Sequence, residues 1–123
     1  GSMYYGMSSS ALQKLYVEDS LVNEDDMFSF QIKNRIESGR VSGIVKLEVD
    51  GEVVPLDEVN FAMGEEVRKA NEITRTNSVY VRYGAVMTIQ APGPLEPGEH
   101  EIKLTVYAPE VGNLTFPVKD TVS

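Results

Sequence analysis

Apolar residues in this chain recur at every second position, in short runs broken by glycine, proline, asparagine and aspartate. That period belongs to half-buried β-strands, because successive side chains leave a strand on opposite faces. Phe28, Phe30, Ile32 and Ile36 share one parity, and Ser29, Gln31, Lys33 and Arg35 fill the other, with Asn34 an irregularity. Val45, Leu47 and Val49 alternate with Lys46 and Glu48. Asp50-Gly51 follows, then Glu52-Val53-Val54, which predicts a two-residue hairpin whose turn positions both take positive φ. Pro55 ends the second arm.

The alternation continues through Val59, Phe61 and Met63, then Val79, Val81 and Tyr83, then Met87, Ile89 and Ala91. A dense turn cluster spans Pro92 to Gly98. Ile102, Leu104 and Val106 face inward next, and Leu114, Phe116 and Val118 form a last run that Pro117 assigns to a sheet edge. Seven or eight short strands, with a turn signal about every ten residues, predict an all-β antiparallel β-sandwich of immunoglobulin-like type. Gly64 to Ser78 departs from the pattern. Val67, Ala70 and Ile73 recur every three residues, so a short helix near 65–74 and a long polar loop both fit.

With 123 residues the chain has the length of one domain. Gly1-Ser2-Met3 reads as the scar of tag removal, and Tyr4 to Ser10 as a frayed terminus. The expected division is a flexible 1–10 and a sandwich over 11–123. The start lacks the basic flank and apolar core of a signal peptide, so the expected location is the cytoplasm. No apolar run approaches the ~18–20 residues that span a membrane. Eleven Lys+Arg against nineteen Asp+Glu give a net charge of −8, which argues against a grip on phosphate backbones. The absence of cysteine excludes disulfide scaffolds, zinc fingers and thiol enzymes.

Few residues offer chemistry. His100 is the single histidine and opens a strand in step with Ile102 and Leu104, which suits a packed residue whose nitrogens meet backbone or water. Glu24-Asp25-Asp26 reads as a solvated turn, since calcium-loop spacing is lacking. Glu65-Glu66 suits the first turn of a short helix, and Gly39 to Gly43 suits a mobile loop without the ending of a phosphate-binding loop. No His/Cys/carboxylate set has metal-ligand spacing, so no cofactor is expected in this chain. Asn77 to Tyr83 stands out. If Val79, Val81 and Tyr83 face the core, Tyr80 and Arg82 share the outer face, and both residue types are enriched at interface hot spots. Arg35, Arg40, Arg68 and Arg75 lie in or near neighbouring loops. The expected partner interface comprises Arg35, Arg40, Tyr80, Arg82 and Tyr83. Whether the arginines cluster in space is not written in the sequence.

Three blocks, taken together, carry a resemblance. They are Asp19-Ser20-Leu21-Val22-Asn23 with Met27 to Ile32; Leu47 to Pro55 with Val59-Asn60-Phe61; and Tyr83 to Ile89 followed by Gly93 to Glu101. In that order and spacing they resemble the small β subunit of bacterial C-glycoside deglycosidases. Two departures stand beside it: Glu37-Ser38-Gly39-Arg40 replaces an aromatic loop, and Val81-Arg82-Tyr83-Gly84 replaces an aromatic-plus-Phe-Gly pattern. The resemblance implies a non-catalytic sandwich subunit that assembles with a TIM-barrel α subunit. That partner would hold a divalent metal such as manganese. The pair would cleave the carbon–carbon bond between a 3-oxo-sugar and an aromatic aglycone. On this reading the chain is the accessory subunit of a lyase, with no catalytic residue of its own. Two other readings stand beside it: a generic immunoglobulin-like interaction module, and a small enzyme or sugar-binding protein, which a pocket holding His100 beside a carboxylate would favour. Homodimer pairing through exposed edge strands is a further expectation.

Overall fold

In the computed structural model, residues 9–123 are described, so Tyr4, Tyr5 and the Gly1-Ser2-Met3 scar lie outside the described residues. A short helix α1 (Ser9–Gln13) precedes eleven strands. These are β1 (Val22–Glu24), β2 (Met27–Lys33), β3 (Gly39–Val41), β4 (Gly43–Val49), β5 (Glu52–Val53) and β6 (Asn60–Met63). After them come β7 (Glu66–Lys69), β8 (Val79–Val81), β9 (Val86–Pro92), β10 (Gly98–Ala108) and β11 (Gly112–Val122). A five-stranded sheet has the order β1-β2-β9-β6-β7, and a four-stranded sheet the order β11-β10-β4-β5. The pair β3-β8 forms a third, two-stranded sheet, and every strand pairing is antiparallel. The fold is an all-β antiparallel sandwich.

The core is built from the inward parity of these strands. Phe28, Phe30, Ile32, Phe61 and Ile89 of the large sheet face Leu47, Ile102, Leu104 and Phe116 of the four-stranded sheet, all buried. Asp50 and Gly51 both take positive φ (52° and 85°) between β4 and β5, the turn that Asp-Gly predicts. Asp25-Asp26 closes the β1–β2 hairpin, with Asp25 but not Asp26 at positive φ (55°). Pro117 lies on β11, at the edge of its sheet.

Several local expectations are corrected. In β4, Ile44 and Leu47 both point inward while Val45 is 46% exposed. The pairing explains this: Val106 sits opposite Ile44 and Thr105 opposite Lys46, so Val45 is the extra residue of a bulge. Gly39 to Gly43 is no loop, since it holds β3 and the start of β4. Glu65 lies in the Gly64-Glu65 turn of the β6–β7 hairpin, and Glu66 opens β7. Between 64 and 78 the one helical element is a single 3₁₀ turn, Ala70–Glu72, which buries Ala70. Tyr83 does not continue the parity of Val79 and Val81. Strand β8 ends at Val81, Gly84 at φ 88° reverses the chain, and Tyr83 is 65% exposed.

Two polar contacts fasten distant segments. The Tyr16 hydroxyl donates to Asp120 Oδ2 (2.5 Å), which also accepts from the Leu21 amide (3.1 Å). This ties the segment after α1 to β11. Asn34, buried at the end of β2, spreads its amide N–H groups over the carbonyls of Glu37 (2.9 Å), Val81 (3.2 Å) and Arg82 (3.2 Å). Its Oδ1 accepts from the Ile36 amide (3.1 Å). The irregularity at Asn34 is thus a junction that fixes the 34–37 and 81–84 segments together.

At this end of the sandwich the core is incompletely filled. A cavity of about 100 Å³ lies between the sheets, walled by residues such as Ile32, Val41, Ile89 and Leu104.

Candidate functional site

The β3-β8 pair carries the most distinctive surface. Its register places Arg40 opposite Tyr80 and Val41 opposite Val79. Val79 and Val81 are buried, so the alternation turns Tyr80 outward. The Arg40 guanidinium lies 5.7 Å from the Tyr80 ring centre, and Nη1 donates to Ser78 Oγ (3.1 Å). Arg68, reaching from β7, donates to the carbonyls of Ser78 (3.2 Å) and Asn77. Thr74 and Asn77 bridge the loop between β7 and β8, so its tip is a defined turn. From that tip Arg75 stacks on Tyr107 of β10, 5.6 Å from the ring centre, with Nη2 3.4 Å from the hydroxyl. Ser42 donates its amide to the Tyr107 carbonyl (2.8 Å), which joins β10 to the start of β4 beside β3.

The arginines therefore cluster. Of the five in the chain, Arg40, Arg68 and Arg75 surround the 75–80 loop. Arg82 and Tyr83 follow in the adjoining turn, both exposed, with the Tyr83 amide donating to Ser38 Oγ (2.8 Å). Arg35 is exposed next to Asn34, whose side chain reaches the Arg82 carbonyl. Among the described residues the ion pairs are Lys46–Glu48 and His100–Asp50, and neither includes an arginine. The guanidinium groups of Arg40, Arg68 and Arg75 are held instead by neutral oxygens and tyrosine rings, which orders them. Tyr80, 49% exposed, and Tyr83 add apolar area.

The sequence-based set Arg35, Arg40, Tyr80, Arg82 and Tyr83 lies along this side of the molecule, but Arg68, Arg75 and Tyr107 were outside it. Tyr107 could not be singled out from sequence. It sits at the end of β10, and only the pairing of β10 with β4 brings it beside the loop.

His100 occupies a different corner. Nδ1 lies 2.6 Å from Asp50 Oδ2 and Nε2 lies 2.6 Å from the Glu96 carbonyl. Both partners can only accept, so the doubly protonated ring suits them best. The Glu96 carbonyl first, and Asp50 second, push the His100 pKa up, while the imidazole and the Glu101 amide hold the Asp50 carboxyl down. Both ring nitrogens are committed, and the residue acts as a strut between the β4–β5 turn and the start of β10. It does not line the apolar cavity.

Comparison with known proteins corrects the deglycosidase reading. The family model described as hydroxymethylglutaryl-CoA reductase, N-terminal domain, matches residues 11–123. No curated protein matches the chain. The three blocks behind the deglycosidase resemblance are turns and strands of the sandwich: the Asp50-Gly51 turn, the Gly84 reversal, and the 93–98 connection pinned by Asn23 to Leu95. Such residues specify a fold and carry no particular chemistry. The implied carbon–carbon lyase activity falls with that resemblance. The chain belongs to the hydroxymethylglutaryl-CoA reductase N-terminal domain family.

Proposed function

We propose that this chain is an accessory docking domain of a hydroxymethylglutaryl-CoA reductase-type enzyme, which it engages through the arginine–tyrosine sector around the 75–80 loop. The observation that carries the reading is the gathering of Arg40, Arg68 and Arg75 with Tyr80 and Tyr107 on one side of a chain whose net charge is −8. A local cationic patch on an acidic protein selects an acidic surface. Stacking on tyrosine rings pre-orders the guanidinium groups, so less side-chain entropy is lost on docking. The family description supports the choice of partner, since it names a domain of such an enzyme. The commitment of both His100 nitrogens supports an accessory role over a catalytic one.

The test is isothermal titration of this chain into the catalytic portion of a hydroxymethylglutaryl-CoA reductase encoded in the same genome. Saturable binding that Tyr80→Ala weakens about tenfold or more is the expected result. Absence of binding at any salt concentration, or equal affinity of the variant, overturns the reading.

A further inference from the structure

We propose that the cavity between the sheets is a binding site for a small neutral apolar group, the size of a four-carbon alkyl chain. All three sheets wall it: Ile32 and Ile89 from the five-stranded sheet, Leu104 and Val106 from the four-stranded one, and Val41 and Val81 from the β3-β8 pair. Protein interiors are close-packed, with few voids larger than a water molecule, so about 100 Å³ of unfilled space among these side chains is unusual. A cavity of ~150 Å³ lined by such residues stays dry and takes a six-carbon ring, which scales to about four carbons here.

The chemistry of the walls favours an apolar occupant. Among the described residues no buried side-chain nitrogen or oxygen lacks a hydrogen-bond partner, so the interior offers no unmet side-chain donor or acceptor. The rim carries charges of both signs, Lys33 and Arg40 against Glu37 and Glu110, so it gives no preference for an ionic head. The opening lies between the 34–41 segment and the β10–β11 turn. The Asn34 side chain bonds Ile36 and Glu37 of the first of these and ties them to the carbonyls of Val81 and Arg82. This site adjoins the docking sector, with Arg40 at its rim, but its apolar walls are not the ring faces of Tyr80 and Tyr107.

The experiment is a titration of methyl-labelled protein with the homologous series of straight-chain alcohols from ethanol to octanol, followed by NMR. Saturable shifts should centre on methyls of Ile32, Val41, Ile89, Leu104 and Val106. Affinity should rise about fourfold per added methylene and level off near four carbons. Val106→Phe, which fills the space, should abolish the shifts without lowering the melting temperature. Val41→Ile, a milder filling, should weaken binding and serves if the first variant fails to fold. Shifts scattered over the surface, affinity that climbs through eight carbons without levelling, or binding indifferent to both variants would overturn the proposal.

Discussion

Arg40 and Tyr80 face each other across the β3-β8 pair, with the guanidinium 5.7 Å from the ring centre. The pair is both a cross-strand contact and the centre of the exposed sector. An exposed cation–π contact contributes about 0.5–1 kcal/mol. A double-mutant cycle of Arg40→Ala and Tyr80→Ala, read by urea denaturation, should give a coupling energy in that range. Arg40→Lys should recover only part of it, because an ammonium cannot stack as a planar guanidinium does.

Asn34 is the most sensitive polar position. Its side chain satisfies three carbonyls and one amide in a buried setting. Asn34→Ala should lower stability by about 1–3 kcal/mol, since the partners lose their hydrogen bonds without gaining water. Asn34→Asp should be at least as damaging, because a carboxylate would face three carbonyl oxygens. Equilibrium denaturation of both variants checks this.

The contact between Tyr16 and Asp120 predicts a second stability effect. Burial, and then the hydrogen bond to Asp120, raise the phenol's pKa well above its usual value. Spectroscopic titration should show Tyr16 among the last tyrosines to ionise. Tyr16→Phe should cost about 1–2 kcal/mol, as one charge-assisted hydrogen bond is lost.

The strut at His100 predicts a pH dependence with a definite sign. The His100 pKa is raised, so its contribution is complete below the ordinary histidine value and fades as pH rises through the raised value. The Asp50 pKa is lowered, so its contribution is complete above the ordinary aspartate value and fades as pH falls through the lowered one. The pair therefore supports the fold most between about pH 4 and pH 6.5. NMR titration of the imidazole should give a midpoint above the ordinary histidine value, and Asp50→Asn should move that midpoint down. An unchanged midpoint in the variant would show that Asp50 does not hold the ring.

The alternation of Phe28, Phe30 and Ile32, and of Ile102, Leu104 and Val106, made the sandwich legible before any coordinates, because parity and burial coincide in regular strands. It failed at Val45 and Tyr83 for local reasons. A bulge inserts one residue without a sequence signature of its own, and a strand that stops at Val81 leaves the next aromatic outside. At Asn34 the break in pattern was visible, but its three carbonyl partners come from residues as far as Arg82. The arginine sector was half legible for the same reason. Arg40 and Tyr80 share a strand pair, whereas Arg75 meets Tyr107 through long-range pairing that no local pattern encodes. The deglycosidase resemblance rested on turn chemistry common to many sandwiches, which is why it misled.

The docking account stands or falls on charge. The most direct measurement is the affinity of the charge-reversed variant Arg40→Glu/Arg75→Glu for the catalytic portion of the reductase, beside the wild-type chain at low and high salt. The account predicts binding that weakens with salt and at least a hundredfold loss in the variant, with the folded state retained by circular dichroism. Equal affinity of the two chains, or wild-type binding indifferent to salt, would contradict it.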